Sequence, residues 1–544
     1  MTHPPADRST RAATTPPPVD AGGGVPVLSY GWPFLLVAMA LLAVGLSSWR
    51  PVPAGVWHDD GVYMVVGQAL AGGEGLVYGG VPGAPPAVKF PPAYSALLAG
   101  LWAVLPGVGA VTFAATLLNL LFLSAAGAGL GWLLHRQAGL SRAAAAVGAG
   151  VAFLSADLWR LALVPLSESL FIGAMVAALL LWPGAVEGRR RDVGLLAAVL
   201  TVAVLTRSAA AALVAGVAMS LLVRRAWGPA LAATAPAVSA FLGWSAWSRS
   251  RAPALTPGTE DVLGPYGGWL AGQILGAPGA FLGGLPLHAA DVARRVLALL
   301  VPGGTGWVVG ALAVPLAAVG LLGAVRLVRR APAVPWVAAF YLAMLMVWPF
   351  ADRRLVAPVH PLLVACIVAG AWALTERQGR GTLRRVGLAF VVVWAGTFVV
   401  VSSSRVARSW AVAPYHLRAE RLAAAVSALE RVAPPDAVVG APEFWAALHL
   451  HGGWSTTPSA LFRPRADEAG TPVWGTPDDQ LRLWRAQGVT HLLLEQGGQV
   501  HGEALNRLEE ACPGAATIPA RLPPQMIVRI EWTEGCAERL GITE

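Results

Sequence analysis

Long apolar runs alternate with short polar segments over most of the chain, and only its two ends are predominantly polar. A helix needs about 17 to 25 residues to cross roughly 30 Å of hydrocarbon, and runs near that length recur between residues 32 and 401. We predict about eleven spans, at residues 32–49, 110–134, 142–156, 164–183, 193–206, 208–223, 228–247, 304–325, 334–350, 355–374 and 386–401. The stretch from Ala93 to Pro106 is short for a span, and we expect a helix lying at the membrane surface there.

The composition supports a membrane protein. Of the 544 residues, 56% are hydrophobic and only 13% are charged, which excludes a set of ordinary soluble domains. Residues 1–30 are rich in Pro, Thr, Ala and Gly without apolar periodicity, and we expect a disordered cytoplasmic tail. Residues 31–401 are predicted to form a polytopic α-helical transmembrane domain, whose first external loop covers residues 50–109.

Residues 402–544 have the composition of a soluble domain in which helices and strands alternate. We expect helices at "HLRAERLAAAVSALERV", "EFWAAL", "DDQLRLWRAQG" and "EALNRLEEA", and strands at "DAVVG", "VTHLLLE" and "MIVRIEW". The region is therefore predicted to be a small α/β domain. Cys512 and Cys536 lie in it, and an oxidising compartment permits a disulfide between them, whereas Cys366 lies within a span as inert packing.

Basic residues set the predicted orientation in the membrane. The net charge is +9, but the basic residues form short clusters between apolar runs, which is typical of cytoplasmic loops and not of a nucleic-acid site. With the N-terminus in the cytoplasm, eleven spans place "HRQAGLSR", "EGRRRD", "VRR", "RLVRR" and "ERQGRGTLRR" all inside. The C-terminal domain is then extracytoplasmic. If Ala93 to Pro106 crossed the membrane instead, the loops after it would invert.

This orientation collects polar side chains at the external ends of the spans. A charged side chain at a membrane boundary costs a few kcal/mol unless it is solvated or paired, so each one alone also fits an interface anchor. Carboxylates and cations at one depth on one side, however, can form a polar cavity with a candidate base and an anion site. The candidate residues are Asp59, Asp60, Lys89, Ser167, Glu168, Arg207, Arg353 and Arg354.

The motifs around these residues resemble a known family. They are "HDDGVYMVVGQALAGGEG", "KFPPAYSALLAGLWAVLPGVGA", "LSESLF", "LTRSAAAALVAG" and "ADRRLVAPVHPLL", in this order. Together they resemble the C-superfamily of membrane glycosyltransferases that use polyprenyl-phosphate sugars, in particular protein O-mannosyltransferases and lipid A aminoarabinose transferases. The resemblance covers roughly residues 30–401. The usual Asp-Glu pair of the family is Asp59-Asp60 here, so which carboxylate lies nearest the acceptor is left open.

Sugar transfer from a lipid phosphate to a hydroxyl requires a base for the proton and cations for the departing phosphate. The resemblance implies an inverting displacement with the first aspartate of the pair as base, which assigns that role to Asp59. Asp60 would then orient Asp59 or bind substrate. Two adjacent carboxylates tend to raise one pKa, which suits proton transfer near neutral pH. In a purely structural alternative, one of the two caps the helix that begins near Gly61.

The remaining candidates are predicted to bind substrate. The resemblance implies that Lys89 contacts phosphate, although an ammonium there also fits snorkelling to the headgroups. The guanidinium of Arg353 or Arg354 suits bidentate phosphate recognition, and the sequence does not distinguish the two. The Ser167-Glu168 pair matches a polar pair of the family, and its carboxylate can bind sugar hydroxyls. The last candidate, at position 207, is an arginine that pairs with a carboxylate, caps a helix end or contacts substrate.

Neither a cofactor nor a metal site is predicted. "GGEGLVYGG" lacks the Lys-Ser/Thr of a phosphate loop, and His449 and His451 lack further ligands in the sequence. The expected partners are a polyprenyl-phosphate sugar donor and an acceptor that is a protein, a lipid or a glycan. A transporter or flippase of a lipid-linked saccharide also fits a polar cavity with arginines, but no internal repeat between the two halves supports it. A non-catalytic assembly protein would not require carboxylates facing arginines.

Overall fold

A computed structural model describes residues 27–255, 259–276, 278–304, 306–348, 352–376, 381–408, 413–459, 462–463, 473–474, 476–495 and 499–542. Most of the first four hundred residues are helical. The helices of this part are α1 (Val27–Ser48), α2 (Asp59–Ala71), α3 (Ala93–Trp102), α4 (Gly107–Arg136), α5 (Arg142–Phe153), α6 (Ala156–Ala162), α7 (Glu168–Val186), α8 (Arg190–Thr206), α9 (Ala210–Val223), α10 (Trp227–Arg251), α11 (Glu260–Leu263), α12 (Tyr266–Gly276), α13 (Pro278–Leu300), α14 (Gly306–Arg330), α15 (Ala333–Val347), α16 (Arg353–Val356), α17 (His360–Glu376) and α18 (Thr382–Ala407). Of the predicted tail, residues 1–26 lie outside the described residues.

Each of the predicted spans coincides with one of these helices or with a bent pair of them. Among the described residues, six stretches are long and apolar enough to cross a membrane: Gly31–Ser48, Gly107–Arg136, Glu168–Val186, Val309–Arg330, Arg353–Glu376 and Arg384–Ala407. Helices α5 and α6, bent by 65°, make a seventh if they are one span. The chain is a multi-pass membrane protein, and the count of eleven spans stays a prediction.

The predicted spans that do not meet this criterion are mostly short. Helices α8, α9 and α15 have 17, 14 and 15 residues, which corresponds to about 21 to 26 Å at 1.5 Å per residue. Helix α3 has only 10 residues, or about 15 Å. It is therefore too short to cross, and its position at the membrane surface stays a prediction.

Helices α11 to α13 were not predicted from the sequence. In α13, Pro286 and the ion pairs of Asp291 with Arg294 and Arg295 interrupt the apolar pattern, so no apolar run marks the helix. These helices follow α10, and the first two contact the loop of residues 50–109: the hydroxyl of Tyr78 donates to the Leu263 carbonyl of α11 at 2.8 Å, and Lys89 lies over the Tyr266 ring of α12. The unpredicted segment thus lies next to the loop that carries the candidate base.

The C-terminal region combines helices with a mixed sheet. Its helices are α19 (Ala413–Val432), α20 (Trp445–Gly452), α21 (Pro477–Ala486), α22 (Gln499–Ala511) and α23 (Cys536–Leu540). Its strands are β1 (Val438–Ala441), β2 (Ser455–Pro458), β3 (Phe462–Arg463), β4 (Val473–Trp474), β5 (His491–Glu495), β6 (Ala516–Leu522) and β7 (Gln525–Ile530). The main sheet has the strand order β2-β1-β5-β7-β6. Strand β1 is parallel to β2 and β5, and strand β7 is antiparallel to β5 and β6.

The predicted helices and strands of this region are present, and β2 and β6 are additional edge strands. Each contains a proline, Pro458 in β2 and Pro519 in β6, and proline makes a sequence look unlike a strand because it cannot donate to the ladder. An edge strand tolerates it. The disulfide permitted by the sequence is formed between Cys512 at the end of α22 and Cys536 at the start of α23, with Cα atoms 5.8 Å apart.

The sheet has two apolar sides that belong to different cores. One core runs without interruption from the membrane helices into α19, α20 and β1, where Tyr415, Trp445 and Leu448 are buried. The other lies among α21, α22 and β7 and is centred on Trp484 and Leu508. Because α20 shares the core of the membrane helices, the C-terminal region is packed against the loop of residues 50–109.

Candidate active site

The candidate base lies at the start of α2, directly after an unusual backbone turn. His58 has φ 76° and ψ −69°, and the amide of Asp59 donates to the Trp57 carbonyl at 3.1 Å, which closes a three-residue γ-turn. This turn is rare and strained for a residue with a side chain, and such strain is concentrated at functional sites. It turns the chain sharply into α2, whose N-terminus favours the nearby carboxylates.

Asp60 is used to hold the loop that precedes it. Its side chain is fully buried, and its two oxygens accept hydrogen bonds from the backbone amides of Gly55 at 2.8 Å and Trp57 at 2.9 Å. Burial raises the pKa of the Asp60 carboxyl to about 6, against the opposing effect of these amides. Both oxygens are thus occupied by backbone donors.

Asp59 faces the opposite way, toward arginine. Its Oδ2 lies 2.6 Å from Nη1 of Arg354, its Oδ1 lies 3.0 Å from Nδ1 of His58, and its side chain keeps 18% exposure. Burial alone would raise the pKa of Asp59, but the Arg354 guanidinium and then His58 hold it well below the usual range of an aspartate. Asp59 is therefore an ionised carboxylate within a charged cluster.

Four further predicted residues join this cluster. Nε of Arg354 and Nη1 of Arg207 both donate to Oε1 of Glu168, the latter at 2.8 Å. Nη1 of Arg207 also donates to the Ser167 hydroxyl at 3.1 Å. Glu168 is only 1% exposed and the two guanidinium groups about 10%. A buried charge is costly unless it is paired, and here two arginines balance two carboxylates.

Two buried atoms of the cluster have no hydrogen-bond partner in the described part of the chain: Oε2 of Glu168 and Nε of Arg207. One is an acceptor and the other a donor. Buried polar atoms are normally hydrogen-bonded, so an unpartnered pair beside a candidate base is suited to a polar ligand. Hydroxyl groups can satisfy both, because each donates and accepts.

Lys89 lies at the edge of the cluster. Its Nζ donates to the Val262 carbonyl at 2.7 Å and lies 4.9 Å from the ring centroid of Tyr266, so α11 and α12 hold it in place. The Lys89 charge is one of those that lower the pKa of Asp59. An ammonium has three donors, and one is used here.

The structure distinguishes the two adjacent arginines that the sequence left equivalent. Arg354 is buried and pairs with both Asp59 and Glu168, whereas Arg353 is half-buried and its side chain forms no ion pair or hydrogen bond within the described ranges. The Asp352 side chain caps the short helix α16 by accepting from the Arg354 amide at 3.2 Å. Arg354 therefore belongs to the cluster and Arg353 lies outside it.

Several residues of the site were not predicted from the sequence. The Tyr63 hydroxyl lies 3.0 Å from Oγ of Ser167. His58 contacts Asp59 on one side, and its Nε2 accepts from the indole Nε1 of Trp445 at 3.3 Å. The position of His58 directly before the two aspartates could have indicated that it belongs to the site. Trp445 follows 387 residues later, and nothing in the sequence links it to His58.

The two histidines considered for a metal site make other contacts. Nδ1 of His449 lies 3.0 Å from the Trp454 carbonyl, and Nε2 of His451 lies 3.0 Å from the Ala54 carbonyl. Since a carbonyl oxygen only accepts, each of these ring nitrogens donates and cannot be a metal ligand in that arrangement. His451 thus links α20 to the loop of residues 50–109.

The overall fold, in which helices carry a buried charged cluster and are followed by a C-terminal sheet, is shared with solved structures, so a fold of the kind that the motif resemblance implies is confirmed. The chain is similar to ArnT from Cupriavidus metallidurans bound to undecaprenyl phosphate, with a TM-score of 0.51, 16% identity, 92% of this chain and 98% of that chain covered. It is also similar to the oligosaccharyltransferase of Archaeoglobus fulgidus tethered to an acceptor peptide, with a TM-score of 0.51, 10% identity, and 85% and 69% of the two chains covered. No protein-family model matches the chain, and no curated protein matches it.

Proposed function

We propose that the protein is an inverting glycosyltransferase that moves a sugar from a polyprenyl-phosphate donor to an acceptor hydroxyl at the external membrane face. The observation that carries this proposal is the contact of Asp59 with Arg354 within a cluster that also contains Glu168 and Arg207. This cluster combines an ionised carboxylate with cations in a fold whose solved examples include a complex with undecaprenyl phosphate.

In the proposed reaction, Asp59 accepts the proton of the acceptor hydroxyl as its oxygen attacks the anomeric carbon. The new bond forms on the face opposite the phosphate, so the configuration inverts. The bond from the anomeric carbon to the phosphate oxygen breaks, and its electron pair leaves with the polyprenyl phosphate. Lys89 and Arg354 stabilise the negative charge that develops there. The proton on Asp59 is then lost to water.

The pairing of Asp59 with Arg354 has a consequence for the order of events. A carboxylate whose pKa is held far below neutral is a weak base. A donor phosphate competes for the same guanidinium, and as Arg354 turns toward the phosphate the pKa of Asp59 rises. Donor binding thus increases the basicity of Asp59 just when an acceptor proton must be removed.

The sugar is placed by the remaining residues of the cluster. Oε2 of Glu168 and Nε of Arg207 have no partner in the described part of the chain, and we assign them to sugar hydroxyls. Ser167 holds the Arg207 guanidinium in position through the 3.1 Å hydrogen bond. Because a site that pairs a hydroxyl on both sides rejects a sugar that lacks it, these residues contribute to donor specificity.

We place the site and the C-terminal domain outside the cytoplasm, with the N-terminus inside. The basic clusters between the spans support this orientation. The disulfide between Cys512 and Cys536 supports it as well, because disulfides persist in oxidising compartments.

The proposal is tested by binding of undecaprenyl phosphate to Arg354→Lys and Arg353→Lys, purified in detergent and checked for equal thermal midpoints. Lysine keeps the positive charge but loses the planar guanidinium, which can bind a phosphate through two parallel hydrogen bonds. We therefore expect Arg354→Lys to weaken binding about tenfold to a hundredfold, as for the loss of a charge-assisted hydrogen bond. Arg353→Lys is the matched control and should bind like the wild type. Equal affinity of all three proteins would remove Arg354 from phosphate recognition.

A further inference from the structure

Helix α20 of the C-terminal region lies directly on the backbone of the loop that carries the candidate base. A methyl group added at Gly55, which has φ 91°, would lie 2.4 Å from Cβ of Ala447, and one added at Gly61 would lie 2.9 Å from Cβ of Ala446. No side chain fits between the two elements. The His451 contact with the Ala54 carbonyl and a hydrogen bond from the Thr456 amide to the Gly80 carbonyl at 2.7 Å fix this packing further.

At the centre of this contact, His58 links Trp445 to Asp59. An indole N–H can only donate, so Nε2 of His58 accepts from Trp445. The ring proton of a neutral His58 therefore lies on Nδ1, from which it is donated to Oδ1 of Asp59 at 3.0 Å. The indole thus selects the tautomer that orients the carboxylate. Trp57, one residue earlier, packs edge to face against Tyr415 of α19 at 5.3 Å.

The backbone at His58 gives a second, independent sign that the position is constrained. A residue with a side chain in a γ-turn of positive φ is strained by about 1 to 3 kcal/mol, and such a conformation persists only where its surroundings fix it. Glycine or asparagine would adopt it with less strain. The chain nevertheless has histidine there, whose two ring nitrogens are both used.

We infer that His58 is a positioning residue for Asp59 and that the C-terminal domain takes part in catalysis by supplying the Trp445 indole that holds His58. This inference rests on the proposed function, in which Asp59 accepts the acceptor proton. Oδ1 of Asp59 is fixed by His58, and Oδ2, which contacts Arg354 before the donor binds, is the oxygen that receives the proton. His58 keeps its own proton throughout.

The role matters most at the moment when Arg354 turns to the donor phosphate. Asp59 then loses one of its two side-chain contacts, and the hydrogen bond from Nδ1 of His58 remains to keep the carboxylate aimed at the acceptor. A base must lie within hydrogen-bond reach of the proton it removes, so a carboxylate free to rotate transfers it more slowly. The effect appears in kcat and leaves donor binding unchanged.

The test compares substitutions that separate the two ring nitrogens. Asparagine at position 58 keeps a donor near the place of Nδ1 and tolerates positive φ, whereas glutamine places its amide near Nε2 and loses the donor to Asp59. We expect His58→Gln to lower kcat about tenfold to a hundredfold, as for the loss of a hydrogen bond to a charged group, and His58→Asn to lose less than about tenfold. Trp445→Phe removes only the indole donor and should lower kcat about threefold to tenfold.

The matched control is Trp484→Phe, since Trp484 is also a buried tryptophan of the C-terminal domain whose indole donates a hydrogen bond, to the Ser459 carbonyl at 3.0 Å. It lies in the second core, away from the first external loop. We expect its kcat and KM to equal those of the wild type, even if its thermal midpoint falls as much as that of Trp445→Phe. A KM for donor that stays constant across all variants completes the expected pattern.

Equal kcat for His58→Gln, His58→Asn and the wild type would overturn the inference while leaving the proposed function intact, provided Asp59→Asn is inactive. An active Asp59→Asn would instead remove Asp59 as the base, which is the part of the proposed function on which the inference rests. If the wild type transferred no sugar, hydrogen exchange would decide the coupling: Trp445→Phe should increase exchange in residues 55–63 and Trp484→Phe should not. Equal exchange in both would overturn the inference.

Discussion

Asp59 and Asp60 are neighbours in the chain, yet their side chains lie in two different surroundings. On the loop side of α2, Asp60 is fully buried and gives both oxygens to backbone amides. On the arginine side, Asp59 is partly exposed and contacts two ionisable side chains, His58 and Arg354. A carboxylate held by fixed amides keeps a backbone in shape, whereas one held by movable side chains can exchange partners. In the proposed mechanism, therefore, Asp60 supports the loop and Asp59 is the base.

Among the substitutions that distinguish the two aspartates, Asp59→Asn is expected to have the largest effect, a loss of turnover. The amide retains the size of the carboxylate and cannot accept a proton. General-base catalysis typically contributes about a hundredfold to ten-thousandfold, so we expect turnover to fall within that range. Binding of undecaprenyl phosphate should be retained or become tighter, because the carboxylate no longer competes for Arg354, and the thermal midpoint should fall because a buried ion pair loses one partner. Both are measured on the same preparation, and normal turnover would remove Asp59 as the base.

A smaller effect, on stability, is expected for Asp60→Asn. An asparagine has one acceptor oxygen, so either the Gly55 or the Trp57 amide would lose its partner. A buried unsatisfied donor costs about 1 to 3 kcal/mol, and the thermal midpoint should fall accordingly. Turnover should fall in parallel with the disordering of the loop. If Asp60→Asn were as stable as the wild type but inactive, the roles of the two aspartates would be exchanged.

A third effect, no larger than that of Asp60→Asn, concerns pH. The folded-state pKa of Asp60 is raised from 3.8 to about 6, so its contribution to stability is present below about pH 4 and is lost as the pH rises to about 6. The loss amounts to at most about 3 kcal/mol. Comparing wild type with Asp60→Asn across pH 4 to 7 isolates this contribution. Two parallel stability curves would show that Asp60 does not titrate as its burial implies.

That the site residues lie close together could be predicted from the sequence, because the predicted orientation of the spans places them all on one side of the membrane. The alternation of basic loops assigns five residues at helix ends to one side: Asp59, Ser167, Glu168, Arg207 and Arg354. The structure brings these five together. The direction in which each side chain points could not be predicted from the sequence. Adjacent residues on a helix point about 100° apart, so the sequence did not show which arginine of the pair enters the cluster.

The contribution of the C-terminal region to the site could not be predicted for a different reason. Its contact with His58 depends on how α20 packs on the loop of residues 50–109, and a contact between Trp445 and His58 leaves no periodicity in either segment. Helices α12 and α13 were missed because prolines, glycines and charges interrupt their apolar pattern. Both of these features depend on tertiary packing, on which the helix or strand propensity of a local segment has little influence.

The central claim, that this site breaks the bond between a sugar and a polyprenyl phosphate, is tested most directly in proteoliposomes. The wild type would be given polyprenyl-phosphate monosaccharides labelled in the sugar, with protein, lipid and glycan acceptors. We predict that the label moves from lipid to acceptor with inverted anomeric configuration, and that Asp59→Asn abolishes this transfer. Passage of the intact labelled lipid across the bilayer without cleavage would contradict the account and favour a flippase.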